Sequence, residues 1–142
     1  MITSIVIVDD HDEDVAAIRH AFEQHRVTHR LQWFVAVDDA FEFLLGRGRH
    51  AQAAPDRPHL VLLDVESPRC GGFELLERIR REPRLARVPV VLLSRERDAS
   101  RVAKGYELGA NSFVVKPPDL TNLAAAIRVI GLYWMLNEPP VD

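Results

Sequence analysis

A single cysteine, Cys70, stands among 142 residues, so no intramolecular disulfide can form, which suits a reducing cytosol. No apolar stretch approaches the roughly 18 residues that would cross a bilayer. The N-terminus, "MITSIVIVDD", has no basic region and reaches acid at Asp9, so it does not read as a signal peptide. No long basic run accompanies the formal charge of −3, and electrostatics give no reason to expect nucleic-acid binding. These absences leave a soluble cytoplasmic protein as the expectation. A length of 142 residues suits one domain with one core, and 47% apolar and 27% charged residues are ordinary for a globular chain.

Three short apolar runs are present: "SIVIV" (Ser4–Val8), "LVLL" (Leu60–Leu63) and "VPVVLL" (Val88–Leu93). They are rich in Val, Ile and Leu without polar alternation, as strands covered on both faces require. "LQWFVAV" (Leu31–Val37) and "SFVVK" (Ser112–Lys116) are weaker strand candidates. Between them, apolar residues recur at helical steps: Val15, Ile18 and Phe22; Phe41, Leu44 and Leu45; Phe73, Leu76 and Ile79; then Val102 and Tyr106, and finally Leu120 to Leu136. Asp14, Asp38, Asp98 and Asp119 sit near helix starts, where a short acceptor can cap free N–H groups. Gly109 suits a helix C-terminus. Strand and helix alternate five times, which predicts an α/β fold: an open, five-stranded parallel sheet, doubly wound, with helices on both faces. "GRGRHAQAAPDRP" (Gly46–Pro58) reads as a connection before the third strand, and no interdomain linker divides residues 1–142.

In such sheets ligands sit beyond the carboxyl ends of the strands, so the residue after each strand is the informative one. Those residues are Asp9 and Asp10, Asp64, Ser94 and Lys116. Converging carboxylates repel one another and raise their pKa values unless a counter-charge joins them. Mg²⁺ takes carboxylate oxygens and keeps positions open for a phosphate oxygen. Asp12, Glu13 and Asp14 read differently, as acids opening the first helix, where the macrodipole favours them.

The set "IVIVDD", "LVLLD", "VVLLS" and "FVVKP", in this order and over the whole chain, resembles the receiver domain of two-component response regulators. The separations are 54 residues from Asp10 to Asp64, 30 more to Ser94 and 22 more to Lys116. The connection before "LVLLD" and the ending "IRVIGLYWMLNEPP" look most like single-domain regulators of bacterial phytochrome kinases. The resemblance implies a flavodoxin-like strand order 2-1-3-4-5 and a single receiver domain without an output domain. It implies that Asp64 accepts a phosphoryl group from a sensor histidine kinase in a Mg²⁺-dependent reaction. Asp9, Asp10, Asp64 and the backbone carbonyl of Glu66 would hold the metal. Lys116 would pair with a phosphoryl oxygen, Ser94 would hydrogen-bond the phosphoryl group, and Phe113 would swing inward as the switch aromatic. Phe113 also reads as core, and Ser94 as a cap of the next helix. A rigid "KPP" step, with a cis Lys116–Pro117 bond as one form, would aim the ammonium.

Several residues depart from the family pattern. Ser67 and Pro68 replace a Met–Pro pair, and Gly71 replaces an aspartate before Gly72. Arg95 is large where the family prefers small residues, and Arg95 and Glu66 are expected to pair over the site. His11 is read as a solvated loop histidine. His25 and His29 lack a third ligand for zinc, and nothing near Cys70 argues for a redox role. The last helix is apolar nearly all round, with Leu123, Ala124, Ile127 and Ile130 facing the core and Val129, Leu132, Tyr133, Met135 and Leu136 on other sides. A second copy forming a homodimer, or the chain's own "NEPPVD", would cover it. Two readings of other classes remain. One is a small Mg²⁺-dependent phosphohydrolase with Asp64 as nucleophile and Glu66 as acid. The other, an FMN binder, would want Ser, Thr or Gly after the first strand rather than acids.

Overall fold

The apolar runs pair side by side. The computed structural model describes residues 3–23, 29–46, 60–66 and 71–136. Its strands are β1 (Thr3–Val8), β2 (His29–Phe34), β3 (Leu60–Asp64), β4 (Val90–Ser94) and β5 (Ser112–Val115). The helices are α1 (Asp12–Glu23), α2 (Val37–Leu45), α3 (Gly72–Arg81), α4 (Ala99–Glu107) and α5 (Leu120–Leu136). All strand pairs are parallel, in the order β2-β1-β3-β4-β5. The expected flavodoxin-like topology is therefore present.

Alternation along each strand divides the apolar residues between two cores. Val6, Val8, Val61, Leu63, Val90 and Leu92 face α2 and α3, meeting Phe43, Leu44, Leu75, Leu76 and Ile79. Ile5, Ile7, Leu60, Leu62, Val91 and Leu93 face α1 and α5, meeting Val15, Ile18, Phe22, Leu123 and Ile127. α4 lies against the sheet through Gly105, where an added Cβ would stand 2.7 Å from Leu92 Cδ1.

Boundaries differ from the pattern in instructive places. Val37 opens α2 instead of ending β2, because packing into the core outweighs its strand preference. Asp98 and Asp119 cap their helices as expected, accepting from Ser100 N at 2.9 Å and Thr121 N at 2.6 Å. Asp38 does not cap: Ala36 holds that position, and Asp38 pairs with Arg78 at 2.7 Å. Gly71 precedes α3 in the left-handed region (φ 46°), which glycine adopts without steric cost. Gly109 follows α4 at φ 104°. No peptide among the described residues is cis, so the cis Lys116–Pro117 bond is not formed. The loop holding His25, the segment 47–58, Ser67, Pro68, Cys70 and "NEPPVD" lie outside the described residues.

Gly72 sets where α3 meets the end of β3. A Cβ there would lie 2.6 Å from the Asp64 carbonyl oxygen and 3.0 Å from Val65 Cγ1. Backbone cannot retreat as a side-chain tip can, so Gly72→Ala should destabilise the protein by about 2 kcal/mol. Urea unfolding checks this, and an unmoved midpoint would show that the close approach carries no weight.

Candidate functional site

Parallel strands deliver all their carboxyl ends to one edge, so residues scattered in sequence meet there. Asp9 and Asp10 follow β1, Asp64 ends β3, Ser94 ends β4 and Lys116 follows β5. Asp9, Asp64, Ser94 and Lys116 are all buried. Lys116 Nζ donates to Asp9 Oδ2 at 2.9 Å and lies 3.4 Å from Asp64 Oδ2. Asp64 Oδ1 accepts from Glu66 N at 2.8 Å, which ties the loop after β3 to the carboxylate. Trp33 Nε1 donates to the Asp9 carbonyl at 2.7 Å and braces the backbone that carries both acids.

Burial pushes the Asp9 carboxyl above its ordinary range, although Lys116 and the His11 N–H oppose the shift. Burial pulls the Lys116 ammonium down, but Asp9, Asp14 and Asp64 outweigh it and hold the group above its usual value. The lysine is therefore charged at neutral pH.

Two residues join the site that their sequence context assigned elsewhere. Asp14 is fully buried, not a solvated opener of α1. Its Oδ2 accepts from Lys116 Nζ at 2.9 Å, and Arg95 Nη2 reaches both its oxygens at 2.6 and 2.7 Å. His11 is likewise not merely solvated: its Nδ1 lies 2.8 Å from Asp9 Oδ1, 2.9 Å from Asp64 Oδ2 and 3.4 Å from Asp10 Oδ1. Burial lowers its pKa, yet the hydrogen bond and charge of Asp9 raise it above the usual value overall.

The expected Arg95–Glu66 pair is replaced by two other contacts. Arg95 takes Asp14, because a buried carboxylate is a better partner than one already satisfied. Glu66 Oε1 accepts from Ser94 Oγ at 2.9 Å and from Glu96 N at 3.2 Å. Ser94 does not cap α4, since Asp98 does. Phe113 is half-buried on β5 against the α3-side core, its N–H donating to Tyr106 Oη at 3.2 Å.

Asp9, Asp10, His11 and Asp64 each offer a donor atom, all within 4.8 Å of one another. The three carboxylates suit a hard divalent cation, which takes oxygen ligands and would also relieve the burial cost on Asp9; the imidazole is a softer donor and does not add to that fit. Asp14 left a trace in the sequence: it stands four residues before Ile18 and seven before Ala21, on the buried stripe of α1. Trp33 left none, because its reach to Asp9 depends on the β1–β2 register, in which Ile7 faces Trp33.

Comparison with known proteins agrees with this geometry. The model of the response regulator receiver domain family matches residues 5–128. Response regulator Rcp1 of Synechocystis sp. is 29% identical over 131 residues, covering 92% of this chain and 88% of its own. The structure of the Mn(2+)-bound form of Rcp1 superposes with a TM-score of 0.88 at 28% identity, covering 98% of this chain and 99% of the other. That of the phosphorylated cyanobacterial phytochrome response regulator RcpA gives 0.92 at 29% identity, covering 99% and 100%.

Asp14 also makes a prediction about pH. Burial raises its pKa, but Lys116 and Arg95 together lower it below the unfolded value of 3.8. Its ionic contacts thus contribute stability above about pH 4, and that stability is lost as pH falls through the lower folded value. Asp14→Asn should cost about 3 kcal/mol at pH 7, and the gap should narrow under acid. Denaturant unfolding from pH 7 down to pH 3 checks this; a constant gap would contradict the ionic origin.

Proposed function

Because the chain belongs to the response regulator receiver family, we propose that Asp64 accepts a phosphoryl group from a phosphohistidine of a sensor histidine kinase. The observation that carries this reading is the position of the Asp64 carboxylate. It is 1% exposed, at the end of the central strand β3, with the Lys116 ammonium at 3.4 Å and Asp9 in the same ion cluster. A carboxylate oxygen of Asp64 attacks phosphorus, the nitrogen–phosphorus bond breaks, and the imidazole leaves. The protein contributes position and neutralising charge rather than proton transfer. Asp9, Asp10, Asp64 and the Glu66 carbonyl would hold Mg²⁺, whose charge would offset the carboxylates and the phosphoryl oxygens. Lys116 pairs with one phosphoryl oxygen. Ser94 exchanges its bond to Glu66 for one to the phosphoryl group, and Phe113 turns into the space this leaves. Loss of the phosphoryl group by hydrolysis at the same site resets the protein.

The likeness to RcpA over 99% of the chain supports a phytochrome-type kinase as the donor. A cytoplasmic location fits such a partner, and no described helix is long and apolar enough to cross a membrane. Residues 1–142 act as one receiver domain and signal through protein contacts, without nucleic acid. A second copy covers the outer face of α5, where Val129 is 69% and Tyr133 60% exposed. The phosphohydrolase reading is weaker because Glu66, its required acid, already accepts from Ser94 and Glu96.

Acetyl phosphate with Mg²⁺ should label wild-type protein at Asp64, and Asp64→Asn should abolish labelling; labelling that persists in the variant sinks the reading. For the dimer, Tyr133→Glu should shift wild-type dimers to monomers in sedimentation velocity. A wild type that sediments as monomer at every concentration would remove the second copy.

A further inference from the structure

Lys116 is shared unevenly. Its Nζ lies 2.9 Å from Asp9 and from Asp14, but 3.4 Å from Asp64. An ammonium drawn to Asp14 is less available to charge arriving at Asp64, so the neutralisation of Asp14 from its other side matters. Arg95 supplies that neutralisation. Its Nη2 alone bridges both Asp14 oxygens at 2.6 and 2.7 Å, from a side chain 40% exposed onto a carboxylate with no exposure. The contact joins the first turn of α1 to the residue directly after Ser94, 81 positions away in sequence. It also gives a reason for a large cation at that position.

We propose that Arg95 is a positioning residue for phosphoryl transfer: by neutralising buried Asp14, it frees the Lys116 ammonium to pair with the phosphoryl group arriving at Asp64. The inference rests on Asp64 being the phosphoacceptor. With acetyl phosphate the bond formed is Asp64 oxygen to phosphorus, and the bond broken is phosphorus to the acetyl oxygen, with acetate leaving. Arg95 touches none of these atoms. It sets how strongly Asp14 holds Lys116, since a buried carboxylate with one cation partner instead of two binds that partner more tightly.

The test is the rate of Asp64 phosphorylation of the full chain by acetyl phosphate with Mg²⁺, with circular dichroism confirming the fold. Arg95→Gln keeps a polar side chain but ends it short of Asp14 and removes its charge, and should slow the reaction about tenfold, a size that couplings between contacting charges reach. Arg95→Lys should recover the rate, because one nitrogen makes both contacts. Adding Asp14→Asn to Arg95→Gln should also recover it, since the excess negative charge is gone. A merely structural arginine would not be rescued by deleting its partner. Beryllofluoride affinity should follow the same order. Arg95→Gln reacting at the wild-type rate, or a double variant no faster than Arg95→Gln, overturns the proposal. Wild type unlabelled at Asp64 would instead overturn the phosphoacceptor reading beneath it.

Discussion

The site depends on a buried ammonium. Lys116 enters the interior with its charge, and three carboxylates, Asp9, Asp14 and Asp64, make that possible. Removing an ammonium from water costs several kcal/mol, and partners repay this only with close geometry. Here the partners come from β1, α1 and β3, so the lysine at the end of β5 ties three separate segments to one point. The carboxylates depend on it in return, since Asp9 is pushed toward its neutral form by burial and Lys116 is its principal opposing charge.

The sheet exists, in functional terms, to hold that point still. Two cores on opposite faces fix the strands, and β1, β3 and β4 are buried on both sides where they approach the site. Their ends cannot drift apart without opening one core or the other. The flanking devices then differ in rigidity. Trp33 and the Glu66 N–H brace Asp9 and Asp64 through the backbone. Ser94 Oγ is held instead through a side chain, the Glu66 carboxylate, and the Phe113 N–H through the Tyr106 hydroxyl.

The fold was legible because it rests on local rules. Apolar runs such as "LVLL" are strands when both faces are covered, and parallel strands put Asp10, Asp64 and Lys116 on one edge whatever fills the loops. The partners within the site were less legible. Arg95 could be seen as unusual, but its preference for Asp14 over Glu66 depends on which carboxylate is buried and which is already satisfied. His11 and Trp33 depend on the path of the β1–α1 loop and on strand register, which periodicity does not specify. Asp14 is the intermediate case. Its helical phase marks the buried stripe, while its place in an acidic triplet marks a helix start; the triplet does open α1, but it gives no sign that Asp14 turns inward.

The misassigned acid changes the charge balance of the site. With Asp9, Asp10 and Asp64 alone, one lysine and one divalent cation would match the negative charge of the resting state. Asp14 adds a fourth carboxylate to the site, and the third at the lysine, and Arg95 restores the match. Such a pair, apart from the reacting atoms, can adjust how firmly Lys116 is held without altering the acids that surround Asp64. Receiver chemistry requires those acids and the lysine in fixed places. The surrounding counter-charges are free to vary, and a pair reaching from the start of α1 to the loop after β4 is well placed to set the readiness of the site.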